Sequence, residues 1–262
     1  MPTALITGAS SGIGEAFARV LAERKTDLVL VARSQDKLET LARELRDRHG
    51  LRVEVIVCDL SRPDAASQVF ETVQTLGLTI DTLINNAGFG DYGSFTENSR
   101  AKQLDMIRLN VLSIADLTYQ FLPSMQQRGF GEIINLSSIA GFLPMPYLAV
   151  YAATKAFVLS FSEALWGENR ETGVRVLAVC PGPTQTQFFK VAGFNPFKNA
   201  KEAAKASASP EWVVQESLKA LARGDSHLVV GGFSNHVITT LPRFLPRGML
   251  VRVIEKQFRP QR

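Results

Sequence analysis

The sequence contains little cysteine and histidine and no long apolar run. Its 262 residues include two cysteines and three histidines. Cys58 and Cys180 each end a short apolar run, as buried thiols in a reducing compartment often do, and neither has a histidine at ligand spacing. No apolar run approaches the roughly 20 residues that span a bilayer. We therefore expect no disulfide, no metal site and no membrane-spanning segment.

The N-terminus lacks the charged segment that opens a secretory signal. Met1-Pro2 leads directly into the apolar run Ala4-Leu5-Ile6, and a glycine-rich turn follows at once. Secretory signals instead place a longer apolar stretch after basic residues. We therefore expect a cytoplasmic protein.

An excess of charge of one sign occurs only at the C-terminal end. The formal net charge is +4, and from Val237 onward six basic residues accompany a single acid, Glu255. This segment therefore carries +5, which leaves about −1 for the rest of the chain. The basic balance describes the tail, so we expect no nucleic-acid partner.

Apolar runs of strand length alternate with helical patterns. Continuous apolar runs such as Leu28-Val29-Leu30-Val31 indicate strands buried on both faces, as in a parallel sheet covered by helices. The alternation predicts an α/β, Rossmann-like, doubly wound parallel sheet in a single domain. Strands are expected over residues 4–6, 28–32, 53–57, 80–84, 131–136, 174–180 and 227–230. Helices are expected over residues 12–24, 35–48, 64–76, 99–127, 149–171 and 211–223.

Two regions depart from this alternation. Residues 187–209 form an unusually long connection that contains four phenylalanines, which is typical of a lid over a substrate site. The second region follows the last predicted strand. We therefore expect a main domain over residues 1–232 and a basic amphipathic C-terminal extension over residues 233–262.

A glycine-rich turn follows the first predicted strand. Glycine there permits a tight turn and a close approach of the backbone, although such a segment by itself is sometimes only a turn. The N-terminus of the next helix offers free N–H groups and the positive end of a dipole to a pyrophosphate. The turn therefore predicts a dinucleotide site that involves Gly8, Ser10, Ser11, Gly12, Ile13 and Gly14.

The end of the second predicted strand indicates which dinucleotide is bound. Proteins that bind NAD carry an acid there for the ribose 2′-hydroxyl, but this sequence has Ala32, Arg33 and Ser34. A neutral residue removes repulsion of a 2′-phosphate, and the guanidinium of Arg33 suits one. Lys37 lies one helical turn further on. We predict NADP(H), contacted by Arg33, Ser34 and Lys37, the alternative being that Arg33 is a solvated surface residue.

A tyrosine and a lysine four residues apart fall in a predicted helix. Tyr151 and Lys155 therefore share one helix face, where the ammonium is expected to lower the pKa of the phenol from about 10. The phenol then serves as general acid toward a carbonyl or as general base toward an alcohol. Ser138, just beyond the strand 131–136, is positioned to donate a hydrogen bond to the same oxygen.

These residues together resemble the short-chain dehydrogenase/reductase (SDR) family over roughly residues 3–232, and Asn85-Asn86-Ala87-Gly88 adds to the resemblance. The resemblance implies that Asn110, Ser138, Tyr151 and Lys155 form a catalytic tetrad, in which Asn110 holds a water that connects the lysine to solvent. It also implies further cofactor contacts by Asp59, Leu60, Asn86, Ala87, Gly88, Tyr151, Lys155, Pro181, Gly182, Thr184 and Thr186.

Apolar and aromatic residues surround the tetrad in sequence. Such residues suit a hydrophobic substrate, although any one of them could instead pack in the core or at an interface. We expect NADPH-dependent, reversible reduction of a small hydrophobic ketone or other carbonyl. Reduction of a 3-oxoacyl thioester in lipid metabolism is an alternative, and a non-catalytic NADP(H)-binding sensor is a weaker one. The expected substrate contacts are Phe89, Phe142, Leu143, Met145, Tyr147, Phe188 and Phe189.

The tail places apolar and basic residues on different faces of one predicted helix, with Leu250 and Ile254 on the apolar side. Such a helix could lie on an anionic membrane, cover a subunit interface or cover the mouth of the active site. With so few apolar residues we favour contact with protein over membrane. The family resemblance implies a homodimer or homotetramer assembled through the helices 99–127 and 149–171.

Overall fold

The computed structural model describes residues 1–194 and 207–260, which are built around a seven-stranded sheet with the strand order β3-β2-β1-β4-β5-β6-β7. The strands are β1 (Thr3–Thr7), β2 (Asp27–Ala32), β3 (Val53–Val57), β4 (Thr82–Asn85), β5 (Gly131–Leu136), β6 (Val174–Pro181) and β7 (His227–Val230). Every pairing between neighbouring strands is parallel. The predicted strands and the predicted fold class are confirmed.

Helices cover both faces of the sheet. They are α1 (Gly12–Glu23), α2 (Gln35–His49), α3 (Ala65–Thr75), α4 (Arg100–Ile107), α5 (Ser113–Arg128), α6 (Ala149–Glu168), α7 (Phe188–Ala192), α8 (Pro210–Arg223), α9 (Phe233–Thr240) and α10 (Arg247–Phe258). Shorter helical turns occur at Arg108–Leu112, Ile139–Phe142 and Leu241–Arg243. Within the described ranges, none of these helices has the length and apolar character needed to cross a membrane.

Alternate residues of the central strands enter opposite layers of the core. In β1, Ile6 packs into the layer that includes Phe17 of α1, whereas its neighbour Leu5 packs into the layer that includes Leu117 of α5. Both layers are apolar, which is why the strand sequences read as continuous apolar runs instead of alternating ones.

The sheet reverses its winding direction next to β1, which pairs with β2 on one side and β4 on the other. A crevice opens beyond the carboxyl ends of the strands at such a point, and ligands of doubly wound sheets bind there. The loops after β1, β4, β5 and β6 therefore meet at one edge.

Two predicted segments differ in detail from the structure. The single helix predicted over 99–127 is two α-helices, α4 and α5, joined by the π-helical turn Arg108–Leu112. The lid predicted over 187–209 begins with the short helix α7, and residues 195–206 of that prediction lie outside the described residues.

Candidate active site

A cavity of about 630 Å³ lies at the carboxyl edge of the sheet. The glycine-rich turn, the ends of β2 to β6 and the start of α6 form its inner wall, and α7, α9 and α10 contribute the outer wall. Of the described side chains that line it, only Arg33, Asp59 and Lys155 are normally charged, and all three are on the inner wall. The cavity therefore has a polar inner side and an apolar outer side.

The glycine-rich turn brings the backbone close to the cavity. Gly8 has a φ of 65°, and a Cβ atom there would lie 2.8 Å from the side-chain amide of Asn86. That amide donates to the carbonyl oxygen of Thr7 at 2.9 Å, and the Thr7 hydroxyl accepts from the backbone N–H groups of Asn86 and Ala87. The turn is thus held against the loop after β4, with room for a ligand beside its backbone.

These features fit a dinucleotide. The glycines let the turn approach the neighbouring loops closely, and the turn leads directly into the N-terminus of α1, whose free N–H groups suit a pyrophosphate. The lining includes the predicted cofactor contacts Gly8, Ser10, Ser11, Gly12, Ile13, Arg33, Ser34, Asp59, Leu60, Asn86, Ala87, Gly88, Tyr151, Lys155, Pro181, Gly182, Thr184 and Thr186.

Two predicted cofactor contacts do not line this cavity. Lys37 lines a neighbouring depression, which shares Ser10 and Ser11 of the turn with the cavity. Gly14 lies behind the turn, where a Cβ atom would collide with the carbonyl oxygen of Gly8. Gly14 thus permits α1 to pack against the turn, and its contact with the cofactor stays a prediction.

The phenol of Tyr151 is buried at the centre of the cavity wall. Burial raises its pKa to about 12, and the hydroxyl of Ser138 only partly offsets this effect. Lys155 lies with its Nζ atom 5.9 Å from the centre of the Tyr151 ring and donates to the carbonyl oxygen of Leu136 at 2.7 Å. Burial also lowers the pKa of Lys155 to about 8.

The expected lowering of the Tyr151 pKa is therefore wrong for this arrangement. Burial disfavours the phenolate more than the neighbouring groups favour it, and the ammonium points toward a backbone carbonyl instead of the phenol oxygen. At neutral pH the tyrosine is consequently protonated, which is the state that a proton donor requires.

Asn110 lies behind the cavity wall and is fully buried. Its side-chain amide donates to Phe89 O at 3.0 Å and to Thr154 Oγ1 at 3.1 Å, and its Oδ1 accepts from the N–H of Phe89. A Cβ atom at Gly88 would lie 3.0 Å from Asn110 Oδ1 and 3.5 Å from Lys155 Nζ. The two polar side chains thus approach each other beside Gly88, so the structure brings all four predicted tetrad residues to one region.

The apolar side of the cavity includes Phe89, Leu143, Met145, Phe188 and Phe189, as predicted. The rings of Phe188 and Tyr151 have their centres 5.2 Å apart. Phe188 therefore closes the cavity immediately above the phenol.

Two predicted substrate contacts do not line this cavity. Phe142 turns toward the sheet, where it packs against the cluster formed by Leu159, Ala178 and Cys180. Tyr147 has a φ of 65° and directs its hydroxyl to Glu255 Oε1 of α10 at 3.0 Å. It holds the C-terminal helix in place instead of meeting a ligand.

The sequence did not assign any residue of α9 or α10 to the site, yet both helices line the cavity. Besides the Tyr147 contact, the hydroxyl of Tyr92 donates to the backbone oxygen of Phe258 at 2.7 Å. The sequence signal for this contact was the helical spacing of the apolar residues Leu250, Ile254 and Phe258. Their position agrees with the third alternative given for the tail, in which it covers the mouth of the active site. The lining residues from this region are Val237, Ile238, Leu241, Pro242, Leu250, Ile254, Gln257 and Phe258.

Comparison with known proteins identifies the family. A model described as short chain dehydrogenase matches residues 2–194. The chain therefore belongs to the short-chain dehydrogenase family and is an oxidoreductase that acts on CH–OH and C=O groups.

Relatives and solved structures support this assignment. A very-long-chain 3-oxoacyl-CoA reductase of Mus musculus is 31% identical over 96% of this chain and 78% of its own length. The 17-beta-hydroxysteroid dehydrogenase type 3 of Mus musculus is 31% identical over 92% of this chain and 80% of its own length. A short-chain dehydrogenase from Sphingobium yanoikuyae in complex with NADPH has a TM-score of 0.81 at 34% identity and covers 93% of this chain and 91% of its own. The chain spans a smaller share of some relatives: it covers 61% of the length of the very-long-chain 3-oxoacyl-CoA reductase of Rattus norvegicus.

Proposed function

We propose that this protein reduces a hydrophobic 3-oxoacyl thioester to the 3-hydroxyacyl thioester with NADPH. The observation that carries the proposal is the apolar outer wall of the cavity, which begins at Phe188 beside Tyr151 and continues to α10. An acyl chain gains free energy from contact with such a wall, whereas a charged group would lose its hydration there. The very-long-chain 3-oxoacyl-CoA reductase among the relatives favours the thioester over the free ketone that the sequence favoured, whereas the 17-beta-hydroxysteroid dehydrogenase type 3 favours a free ketone.

The residues on the polar side of the cavity suit NADPH. In this proposal the backbone of the turn holds the pyrophosphate, Arg33 binds the 2′-phosphate and Asp59 contacts the adenine. Asn86, Ala87, Gly88 and Lys155 hold the ribose near the nicotinamide, and Pro181, Gly182, Thr184 and Thr186 hold its carboxamide side. NADPH, when bound, supplies the hydride that the carbonyl carbon accepts.

Tyr151 supplies the proton in this reaction. Its raised pKa keeps the phenol protonated at neutral pH, so it can transfer a proton to the developing alkoxide. Ser138 donates a hydrogen bond to the same oxygen. Lys155 stabilises the phenolate left on Tyr151, and Asn110 connects the lysine with the route by which a proton returns.

Reduction of a free hydrophobic ketone is the second candidate. It is favoured by Phe188 and Phe189, whose rings meet nearly edge to face with an interplanar angle of 82° and form a rigid wall for a bulky ring system. The sensor alternative is weaker, because the tetrad residues gather at a cavity with space for substrate.

We also propose a cytoplasmic homodimer or homotetramer, in which residues 1–232 form the main catalytic domain and the extension 233–262 completes its cavity. Exposed apolar side chains on the two predicted interface helices, Leu112 and Tyr119 near α5 and Phe157 on α6, support assembly through these helices.

The test is Tyr151→Phe beside the matched control Tyr147→Phe. We expect Tyr151→Phe to reduce turnover of a 3-oxoacyl-CoA by about 10²- to 10⁴-fold, the usual contribution of a general acid. NADPH affinity, measured by fluorescence titration, should persist. Tyr147→Phe removes a hydroxyl that does not line the cavity and should retain turnover within a small factor.

Two outcomes would contradict the proposal. Retained turnover in Tyr151→Phe would exclude this phenol as the proton donor. NADPH binding without reduction of any 3-oxoacyl-CoA or hydrophobic ketone by the wild type would favour the sensor alternative.

A further inference from the structure

The helix α9 buries polar side chains and exposes apolar ones, which is the reverse of the usual arrangement in a helix on a water-exposed surface. Its polar residues Asn235 and Thr239 are buried, whereas Phe233 is 84% exposed. The Asn235 side-chain amide donates to the carbonyl oxygen of Val230 at 2.9 Å, which fixes this orientation against the end of β7. An ordinary amphipathic surface helix turns its apolar side toward the core.

The following residues extend the exposed apolar surface. Phe244 is 79% exposed and Val253 is 61% exposed, and Leu241 and Met249 are each half exposed. Single exposed apolar residues are common, but several large ones close together in the sequence mark a surface that contacts something apolar. We define the exposed side chains of Phe233, Leu241, Phe244, Met249 and Val253 as the apolar patch.

Basic residues accompany this patch. Arg252 and Lys256 are three residues from Met249 and Val253 on α10, so each is a neighbour of a patch residue on the helix surface. Arg247, Arg252 and Lys256 are exposed. The segment from Val237 onward carries +5, while the rest of the chain is close to neutral or slightly acidic. An anionic surface therefore complements this segment in charge.

The patch is also continuous with the cavity. Leu241 belongs to both, and Val237, Ile238 and Leu250 line the cavity from the same two helices. A hydrophobic molecule beside the patch therefore lies next to the outer wall of the cavity.

We propose that α9 and α10 dock the protein on the surface of an anionic lipid bilayer, with the apolar patch inserted among the acyl chains and the arginine and lysine side chains at the headgroups. The substrate then enters the cavity directly from the bilayer. Burial of apolar area and attraction of basic residues to anionic headgroups add together in such an arrangement. This surface contact does not require the proposed reaction.

The test is flotation of the purified full chain with vesicles. Wild type is expected to float with mixed phosphatidylcholine–phosphatidylglycerol vesicles and to bind pure phosphatidylcholine vesicles more weakly. High salt should release it, because screening shortens the range of the electrostatic attraction from about 10 Å at 0.1 M to about 3 Å at 1 M. Arg247→Gln with Arg252→Gln should weaken binding to the anionic vesicles by at least about tenfold.

The double variant Phe233→Ser with Phe244→Ser tests the apolar contribution. Neither side chain lines the cavity, so NADPH binding should remain while vesicle binding falls by at least about tenfold. The matched control is Phe130→Ser, which should float like wild type. Phe130 is an exposed phenylalanine directly before β5, at the amino-terminal end of that strand.

Three results would overturn the proposal. The first is wild type that does not float with the anionic vesicles. The second is a Phe233→Ser and Phe244→Ser variant that floats as well as wild type. The third is wild type that does not bind vesicles and whose oligomeric state, measured by light scattering, differs from that of this variant. That result would assign the patch to contact with a second copy of the chain. None of these readouts depends on turnover, so failure of the proposed reaction would be recognised separately.

Discussion

Lys155 lowers the stability of the fold, because its amino group is buried away from water. Its pKa falls from 10.5 to about 8 in the folded protein. The folded state therefore binds fewer protons than the unfolded state between these pH values, and stability rises with pH across this window. Below pH 8 the lysine is charged in both states, and the cost of burying the charge is constant. Such a cost is typical of a residue kept for chemistry.

We predict the corresponding pH dependence in Lys155→Met. Relative to this variant, wild type should gain about 3 kcal/mol of unfolding free energy as pH rises from 8 to 10.5, since each pKa unit corresponds to about 1.4 kcal/mol. Urea denaturation of both proteins across this range measures the difference. Lys219→Met, on the exposed side of α8, is the control for loss of a lysine. A wild-type advantage that stays constant with pH would contradict a buried Lys155 of lowered pKa.

Arg33 is predicted to select the cofactor. Arg33→Gln should weaken NADPH binding by roughly tenfold to a hundredfold, because it removes a charge-assisted contact to a phosphate, and should leave NADH binding nearly unchanged. Lys37→Gln is the matched control, since Lys37 lies in the neighbouring depression, and it should have a smaller effect. Fluorescence titration with both cofactors measures the affinities. Equal losses for NADPH and NADH in Arg33→Gln would remove the basis for 2′-phosphate recognition.

Residue types that carry chemistry were easier to predict than the direction of individual side chains. Tyr151, Lys155 and Ser138 meet as their spacing predicted, because a helix and the end of a strand determine where they point. Phe142 and Tyr147, predicted as substrate contacts, do not line the cavity, because the turn Ile139–Phe142 and the positive φ of Tyr147 redirect them. Those local conformations depend on tertiary packing and leave no periodic signal in the sequence.

At the scale of elements, the unit formed by β1, the glycine-rich turn and α1 is the part that the sequence predicted best. Gly14→Ala should disrupt it, because the added methyl group would collide with the carbonyl oxygen of Gly8 and the Asn86 amide. We expect a loss of about 1–3 kcal/mol of stability from overpacking, together with weaker NADPH binding. Thermal unfolding with and without NADPH measures both effects.

Gly167→Ala is the matched control for this substitution. Gly167 lies in α6, and a Cβ atom there would have no atom within 4 Å, so the added methyl group should stabilise the helix by about 0.5–1 kcal/mol. If Gly14→Ala were as stable as Gly167→Ala and bound NADPH normally, the close packing of the turn would not be required.

The helices after the glycine-rich unit were predicted less completely. The residues of α4 and α5 have helical periodicity throughout, so the sequence indicated one helix and gave no sign of the π-helical turn between them. That turn contains Asn110, whose side chain spans from Phe89 to Thr154. Its geometry arises from hydrogen bonds to residues distant in sequence, which periodicity does not reveal.

At the scale of the whole molecule, the active site is completed by the C-terminal helices. Local sequence patterns predicted the sheet and its polar edge. For the tail they left three alternatives, namely an anionic membrane, a subunit interface and the mouth of the active site. The structure shows through the contacts of Tyr92 and Tyr147 with α10 that the tail covers one end of the cavity. Such contacts join residues more than 100 positions apart, as in the pair of Tyr147 and Glu255, so only the folded chain reveals them.

The apolar side of the cavity, which α9 and α10 complete, supports the central claim. This claim is that the protein accepts the acyl chain of a 3-oxoacyl thioester. The most direct test measures kcat/KM with NADPH for 3-oxoacyl-CoA substrates of increasing chain length, beside free hydrophobic ketones of similar size. Each buried methylene contributes about 0.8 kcal/mol, so kcat/KM should rise by up to about fourfold per methylene until the cavity is filled. Values that do not change with chain length, or faster turnover of the free ketones, would contradict the claim.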